Sequence, residues 1–546
     1  TAVILDPVIH IHVYLTTSMA VRMFAALLGL FVSACHGLLT QPVEGGFDES
    51  GFDESGFDEE QQLASDNGSW PGLPKLKFHK PHLRRHEEHA ADAAGAGAYR
   101  QRLRNLQDIQ YFGEVKVGNQ TLEGLFDTGS FELLVFGEGC TTCGSSGVYK
   151  HSLSSSFTAG GRKETHSFGS GTCYSDEGYE TVSLGPFSVE RLPFWEVVSA
   201  QMPVLDSQQS GFQAIVGIGP PGEPAATAQA ELDDLAKREE WHLRHDGAVP
   251  EQLQREKEDM LQKLDSEKKK VAFLQALGVS TFSSCLDRMS GGSGWMVWND
   301  NSALRDPQNF MSLPVAGTRS WRLPEITGMG LKGFGPTADN PIGCQGGCGA
   351  IVDTGTSLLA VPSDIYQRLY DLIKGMEMDC NDLRKFPDIY ITVNGHELLL
   401  PPDSYIGRVV GNVPKFMKKH VHASADVAEF SQDDALNPNA VQLDRFRARQ
   451  RVRRQKCQLL LMDMGNQVTQ LGPLMILGMP FFREYYTSFN LTDRSIRVAP
   501  ADDQCRPQGA VTSLMVTRSH VPRKVDVATL RPPRWLSRND TVVLTI

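Results

Sequence analysis

Two short stretches decide the fold of this chain: Leu125-Phe126-Asp127-Thr128-Gly129-Ser130 and Ile351-Val352-Asp353-Thr354-Gly355-Thr356-Ser357. Each is an apolar run that enters Asp-Thr-Gly and leaves through a hydroxylated residue, and the two aspartates lie 226 positions apart. An apolar strand ending in Asp-Thr-Gly sets a carboxylate on a tight turn, where glycine lets backbone approach backbone. Two such turns facing each other would hold two carboxylates side by side. Adjacent carboxylates cannot both ionise easily, so they share a proton and titrate as a pair. The ionised member can take a proton from a bound water while the protonated one polarises a peptide carbonyl. Ser130 and Thr356 are each expected to donate to the outer oxygen of the neighbouring aspartate, stabilising the charged form. One triplet could be an ordinary turn, but two with matched flanks call for a shared cause.

The rest of the chain suits a globular, turn-rich body of two or three units: 546 residues, 40% hydrophobic, with 51 Gly and 30 Pro. A formal net charge of -12 argues against a general nucleic-acid binder. From Asp108 to Gly118 apolar and polar residues alternate as in a half-buried strand. Short β-type runs continue to about residue 220, resume at Trp295-Met-Val-Trp298 and extend to Pro500. Between them, residues 225–277 are rich in Ala, Glu, Gln, Lys and Leu and read as two helices broken at Gly247-Ala-Val-Pro250. This insertion is either a solvated arm or a surface that docks a partner. A second insertion, about 413–456, carries Arg445, Arg447, Arg449, Arg451, Arg453 and Arg454. The tail, 506–546, is basic and proline-containing and reads as flexible.

The first residues carry other messages. Residues 1–18 hold no Met and read as sequence upstream of a start at Met19. Residues 19–37 then look like a signal peptide: Arg22, an apolar run from Met23 to Val32, and small residues at Ser33 and Ala34. That run is too short for a permanent membrane span. Residues 38–104 hold an acidic Gly-Phe-Asp-Glu repeat from Gly46 and a basic stretch from Lys75 to Arg85. The acidic repeat cannot form a packed core. Asn67, Asn119, Asn490 and Asn539 begin possible glycosylation triplets.

With the two triplets goes a wider pattern. Tyr111-Phe-Gly113 resembles a first strand, while Ala214-Ile-Val-Gly217 and Met475-Ile-Leu-Gly478 resemble apolar-Gly segments passing behind the catalytic turns. Phe481-Phe-Arg483-Glu-Tyr485 resembles the start of a closing strand. In all of these the chain resembles the pepsin-like (family A1) aspartic endopeptidases over roughly residues 105–505. The family's dyad is itself a standard example of coupled carboxylates. The resemblance implies an all-β, bilobal acid-protease fold with an N-terminal lobe over 105–300, a C-terminal lobe over 301–505 and a cleft between them. It implies that Asp127 and Asp353 are catalytic, supported by Thr128, Gly129, Ser130, Thr354, Gly355 and Thr356, with neither metal nor cofactor. Its disulfides would be Cys140–Cys143, Cys344–Cys348 and Cys380–Cys457, which suits an oxidising compartment. If Cys35 leaves with the signal peptide, Cys173, Cys285 and Cys505 are left over, and a Cys173–Cys285 pair is one possibility.

The family's flap maps onto Phe168, Gly169 and Ser170, with Phe168 in place of the usual Tyr and Leu134 in place of its Trp partner. Both polar partners are absent together, so an apolar flap contact is expected. A Phe here resembles secretory-organelle aspartic proteases of apicomplexan parasites. The basic stretch from Lys75 fits a zymogen prosegment, with cleavage expected after Arg85, Arg102 or Arg104. A monomer acting on protein or peptide substrates is expected, secreted or in the lumen of an acidic organelle, with no nucleic-acid partner. Residues 225–277 remain a candidate docking surface. The competing expectation is a catalytically silent peptide-binding protein of the same fold.

Overall fold

The computed structural model describes residues 97–546 apart from 206–210, 334–338, 375–381, 412, 423–457, 510–521 and 537–546. All of these belong to one unit, His86–Ile546. The signal peptide, the acidic repeat, Lys75–Arg85, Cys380, Cys457 and the arginine cluster at 445–454 lie outside the described residues.

Order begins earlier than the expected 105. Strand β1 (Tyr99–Leu106) turns Gln101 and Leu103 inward and pairs with both Gly294–Trp298 and β2 (Gln110–Val117). Arg102 and Arg104 sit inside β1, opposite Trp295 and Phe112. Cleavage after either would cut a paired strand. β2 is followed by β3 (Gln120–Asp127) and β4 (Leu133–Phe136). The long β5 (Thr158–Phe168), β6 (Gly171–Leu184) and β7 (Phe187–Gln201) come next, and then β8 (Ala214–Gly217). They share one 13-stranded sheet with the C-terminal strands Tyr485–Asn490 and Ser495–Pro500.

Each half repeats one device. β3 runs parallel to β8, with Asp127 beside Gly217. In the second half, Gly349–Val352 runs parallel to Gly472–Leu477, with Val352 beside Leu477. All four residues of β8 and of Gly349–Val352 are buried, as their continuous apolar character requires of strands covered on both faces. The glycines at the ends of these segments are sterically required. A Cβ on Gly217 would strike the backbone of Phe131 and Glu132, and one on Gly478 would strike the carbonyls of Thr356 and Leu358. The halves meet across a shared aromatic core, in which Phe282 stacks on Phe489 at 4.7 Å and Trp321 Nε1 donates to the Ile218 carbonyl at 3.1 Å.

The expected helical insertion is a hairpin of α1 (Glu223–His245) and α2 (Glu251–Lys269), turning at Gly247, whose φ is +71°. Its buried stripe is narrow, with Leu235, Leu253 and Leu264 inside and Trp241 and Leu261 exposed. No helix among the described residues is long and apolar enough to cross a membrane.

Three expectations need correction. Cys173 and Cys285 are not paired: Cys285 bonds Cys505, which lies just past the strand Ser495–Pro500 of the same sheet, while Cys173 is a buried free thiol. Cys140–Cys143 and Cys344–Cys348 are bonded. Asn490 is buried, and its Oδ1 accepts from the backbone N–H groups of Thr492 and Asp493, so it is not an accessible glycan acceptor. The tail is not free throughout. Arg523–Asp526 forms a strand parallel to Ile406–Val410, and Val525, Val527 and Leu530 enter the second lobe's core.

Candidate active site

The two Asp-Thr-Gly turns meet at the junction of the halves and are cross-braced through their threonines. Thr128 N–H donates to Thr354 Oγ1 at 3.0 Å, and Thr354 N–H donates back to Thr128 Oγ1 at 2.9 Å. Each hydroxyl also donates across the junction, Thr128 to the Val352 carbonyl at 3.0 Å and Thr354 to the Phe126 carbonyl at 2.8 Å. These buried bonds fix the two turns in register, since an unpaired buried polar group is costly. Gly129 N–H donates to Asp127 Oδ1 at 2.9 Å and Gly355 N–H donates to Asp353 Oδ1 at 2.8 Å. A Cβ on Gly129 would lie 2.9 Å from Asp353 Oδ1 and 3.1 Å from Asp127 Oδ1, so both carboxylates close on one point. Burial first, and then the Asp127 charge, raises Asp353 to about 7 despite its donors Thr356 and Gly355. The proton belongs to the pair.

The outer oxygens are treated unequally. Thr356 Oγ1 donates to Asp353 Oδ2 at 2.5 Å, as expected from the sequence. Ser130 differs from its expectation: its hydroxyl is buried and has no hydrogen-bond partner. Asp127 Oδ2 instead faces the guanidinium of Arg531, at 3.8 Å.

Above the turns, β5 and β6 form the flap, whose tip is Phe168-Gly169-Ser170-Gly171. Phe168 is half-buried against the cluster that contains Leu134, Phe112 and Phe212, which is an apolar contact of the expected kind. Ser170 is buried. A polar anchor not foreseen from the sequence lies lower on the flap. His166 Nδ1 is 3.0 Å from Glu132 Oε2, and Trp195 Nε1 donates to Glu132 Oε1 at 3.2 Å. Glu132 lies two residues beyond Ser130, so the flap stalk is tied to the first Asp-Thr-Gly turn. Lys270, just past α2, reaches the same carboxylate at 4.0 Å, and Arg162 of β5 donates to Ser266 of α2 at 2.9 Å. The helical hairpin thus braces the flap. The signal that went unused was the spacing of Glu132 from Asp127 on one side and the inward phase of His166 in β5 on the other.

Burial alone would raise Glu132, but the hydrogen bond and charge of His166, with Lys270 and Arg534, hold it at about 2. A depressed carboxylate stabilises the fold above its unfolded value, near 4.5, and that contribution disappears as pH falls toward 2. In thermal melts from pH 5 to 2, Glu132→Gln is expected to flatten the wild-type decline by roughly 2 kcal/mol. Equal slopes would show that the anchor is not coupled to folding.

A family model described as eukaryotic aspartyl protease matches residues 110–241 and 279–413, so its break begins inside the helical hairpin and takes in all of α2. The chain is 25% identical to pepsin A of Sus scrofa over 409 residues, which is 73% of this chain and 83% of the relative. The chain belongs to the pepsin-like aspartic proteases. It is likewise 25% identical to cathepsin E-B of Xenopus laevis, across 73% of this chain and 81% of the relative. Human gastricsin matches at 27% over 312 residues, 55% of this chain and 69% of the relative. This protease is an aspartic endopeptidase, a hydrolase of peptide bonds. The silent alternative finds no support among these relatives, and no change at the two triplets favours it.

Proposed function

We propose that Asp127 and Asp353 are the catalytic pair and that they activate one water between them for attack on a peptide bound in extended form under the flap. The observation that supports this most is the reciprocal Thr128–Thr354 bracing, which sets two carboxylates on one point with one proton between them. In the reaction the ionised carboxylate takes the water's proton, and the protonated one donates to the carbonyl oxygen as the tetrahedral intermediate forms. Thr356 holds Asp353, Gly129 and Gly355 orient the inner oxygens, and Phe168, Gly169 and Ser170 cover the substrate. The protein is made as a zymogen that enters the secretory pathway, works as a monomer on protein substrates in an acidic lumen or outside the cell, and is released by cutting upstream of β1. The signal-like residues 19–37, the basic stretch Lys75–Arg85 and the disulfides support this part. Residues 225–277 act on the flap first, and any docking role is secondary.

Hydrolysis of a peptide library between about pH 3 and 7 tests the dyad. Activity is expected to rise on acidification and to vanish with Asp127→Ala or with pepstatin, a transition-state-like inhibitor. Folded protein that neither cleaves nor binds pepstatin would overturn the assignment.

A further inference from the structure

The tail after Cys505 ends up where a substrate would have to lie. Its course begins with Arg523, which is buried and bridges to Asp108 at 3.1 Å and Asp403 at 3.8 Å. The strand Arg523–Asp526 follows. Then the Thr529 carbonyl accepts from Gln110 Nε2 at 2.6 Å, deep in the first lobe's entry strand. At Arg531 the tail reaches the second catalytic turn and is held there by two hydrogen bonds to Ser357, one to its backbone and one to its hydroxyl. Arg531 N–H donates to Ser357 Oγ at 2.9 Å, and Ser357 N–H donates to the Arg531 carbonyl at 3.0 Å. Ser357 directly follows Thr356, so this contact lies four residues from Asp353.

The side chain of Arg531 is 3% exposed and points between the lobes, with Asp127 at one end and the Phe212 ring at 5.6 Å. Its Nε and Nη1 are buried without a hydrogen-bond partner. The next two residues, Pro532 and Pro533, pass under the flap: a Cβ on Gly169 would meet their carbonyls. Arg534 then lies over the Phe131 ring at 5.1 Å, beside the first catalytic turn. Backbone paired to one turn, carbonyls under the flap and a cation at the dyad are the contacts of an occupant, not of a surface linker.

We propose that residues 522–536 are a substrate-mimicking inhibitory segment of this chain, seated in its own cleft with Arg531 at the dyad, and that substrate turnover requires the segment to leave. It rests on the dyad assignment above. Two features fit inhibition better than a permanent structural role. Asp127 is turned to Arg531 while the Ser130 hydroxyl beside it is left idle, so the turn is not in the bonding pattern of its twin at Thr356. And consecutive prolines fix φ and supply no N–H, so the segment is pre-extended and loses little entropy on docking. Tethering gives it an effective concentration on the order of millimolar, which lets a modest intrinsic affinity fill the cleft.

The test uses the full chain and a fluorogenic peptide substrate. Arg531→Ala is expected to raise kcat/KM by about tenfold or more, because apparent affinity scales with the open fraction. A synthetic peptide of residues 527–536 should compete with substrate for the Arg531→Ala protein, and the same peptide carrying Arg531→Ala should compete at least about tenfold more weakly. A second measurement needs no variant. The rate of pepstatin association with the wild-type chain should saturate at high inhibitor, at the rate of segment departure. Equal kcat/KM for wild type and variant, no competition by the peptide, or an association rate linear in inhibitor would each overturn the proposal. Absence of both cleavage and pepstatin binding in every form would instead strike the dyad assignment.

Discussion

Asp353→Asn is expected to lower kcat by roughly 10³- to 10⁴-fold while making the folded protein more stable at neutral pH. The loss of rate follows from the chemistry: an amide cannot share the proton, so the pair has no member that polarises the carbonyl. The gain in stability follows from the same burial that raises Asp353 to about 7. A group whose folded value lies above its unfolded one, here 3.8, stabilises the fold fully below that value. The contribution is lost as pH rises through about 7. Wild-type protein therefore loses stability between about pH 4 and 8 as a second charge is forced into the site. At 1.36 kcal/mol per unit this is on the order of 4 kcal/mol for a fully buried group. Asn carries no such charge and should flatten the curve. Melting temperature against pH, beside kcat/KM on the same samples, checks both halves. A variant that is inactive but follows the wild-type pH curve would mean that the pair is not coupled in the folded state.

How far the sequence discloses this molecule depends on how local each signal is. The two Asp-Thr-Gly turns are legible because every atom that shapes them lies within a few residues, and Gly217 and Gly478 stand at the ends of short apolar runs. β1 was legible in principle: Arg100, Arg102 and Arg104 alternate with inward Gln101 and Leu103, a period of two. The charge of Arg102 and Arg104 suggests processing sites, while the alternation places both in a strand. Cys285–Cys505 closes across 220 positions, and connectivity of that kind is not contained in spacing. The tail was the least legible. Arg523 and Val525 alternate with Lys524 and Asp526, but only over four residues, and their partners are distant in sequence: the strand pairs with Ile406–Val410, and Thr529 meets Gln110 across 419 positions. Ser130 and Thr356 looked equivalent because their neighbours in sequence are. They differ in space: Thr356 Oγ1 donates to Asp353 Oδ2, whereas Asp127 Oδ2 faces the Arg531 guanidinium.

Arg523→Met is expected to destabilise the folded chain by ~2–4 kcal/mol and, below its melting temperature, to raise peptidase activity. Arg523 belongs to a buried group in which three arginines face three acids. Its guanidinium bridges Asp108 and Asp403 and donates to the Arg288 carbonyl. Arg483 donates to the Asp108 carbonyl, and Arg288 Nε lies 3.3 Å from Glu484 Oε2. Removing one partner of a buried pair leaves the other charge uncompensated, typically at 3–5 kcal/mol. Three features reduce that cost. Asp108 keeps donors from Asn105 at 2.7 Å, Ser290 at 2.6 Å and Gly291 at 2.8 Å. Arg483, whose own charge is disfavoured by burial and then by Arg523, is relieved when Arg523 goes. Asp403, already raised by burial, can take up a proton. Arg523 is also the first anchor of the tail, and without it the strand Arg523–Asp526 holds less firmly to Ile406–Val410. The segment that carries Arg531 should then leave the cleft more often, and the same substitution that lowers the melting temperature should speed hydrolysis. A purely structural role for the tail predicts the opposite sign, since a loosened lobe would only lose activity. Melting temperature and kcat/KM measured on one preparation separate the two, because only an inhibitory tail moves them in opposite directions.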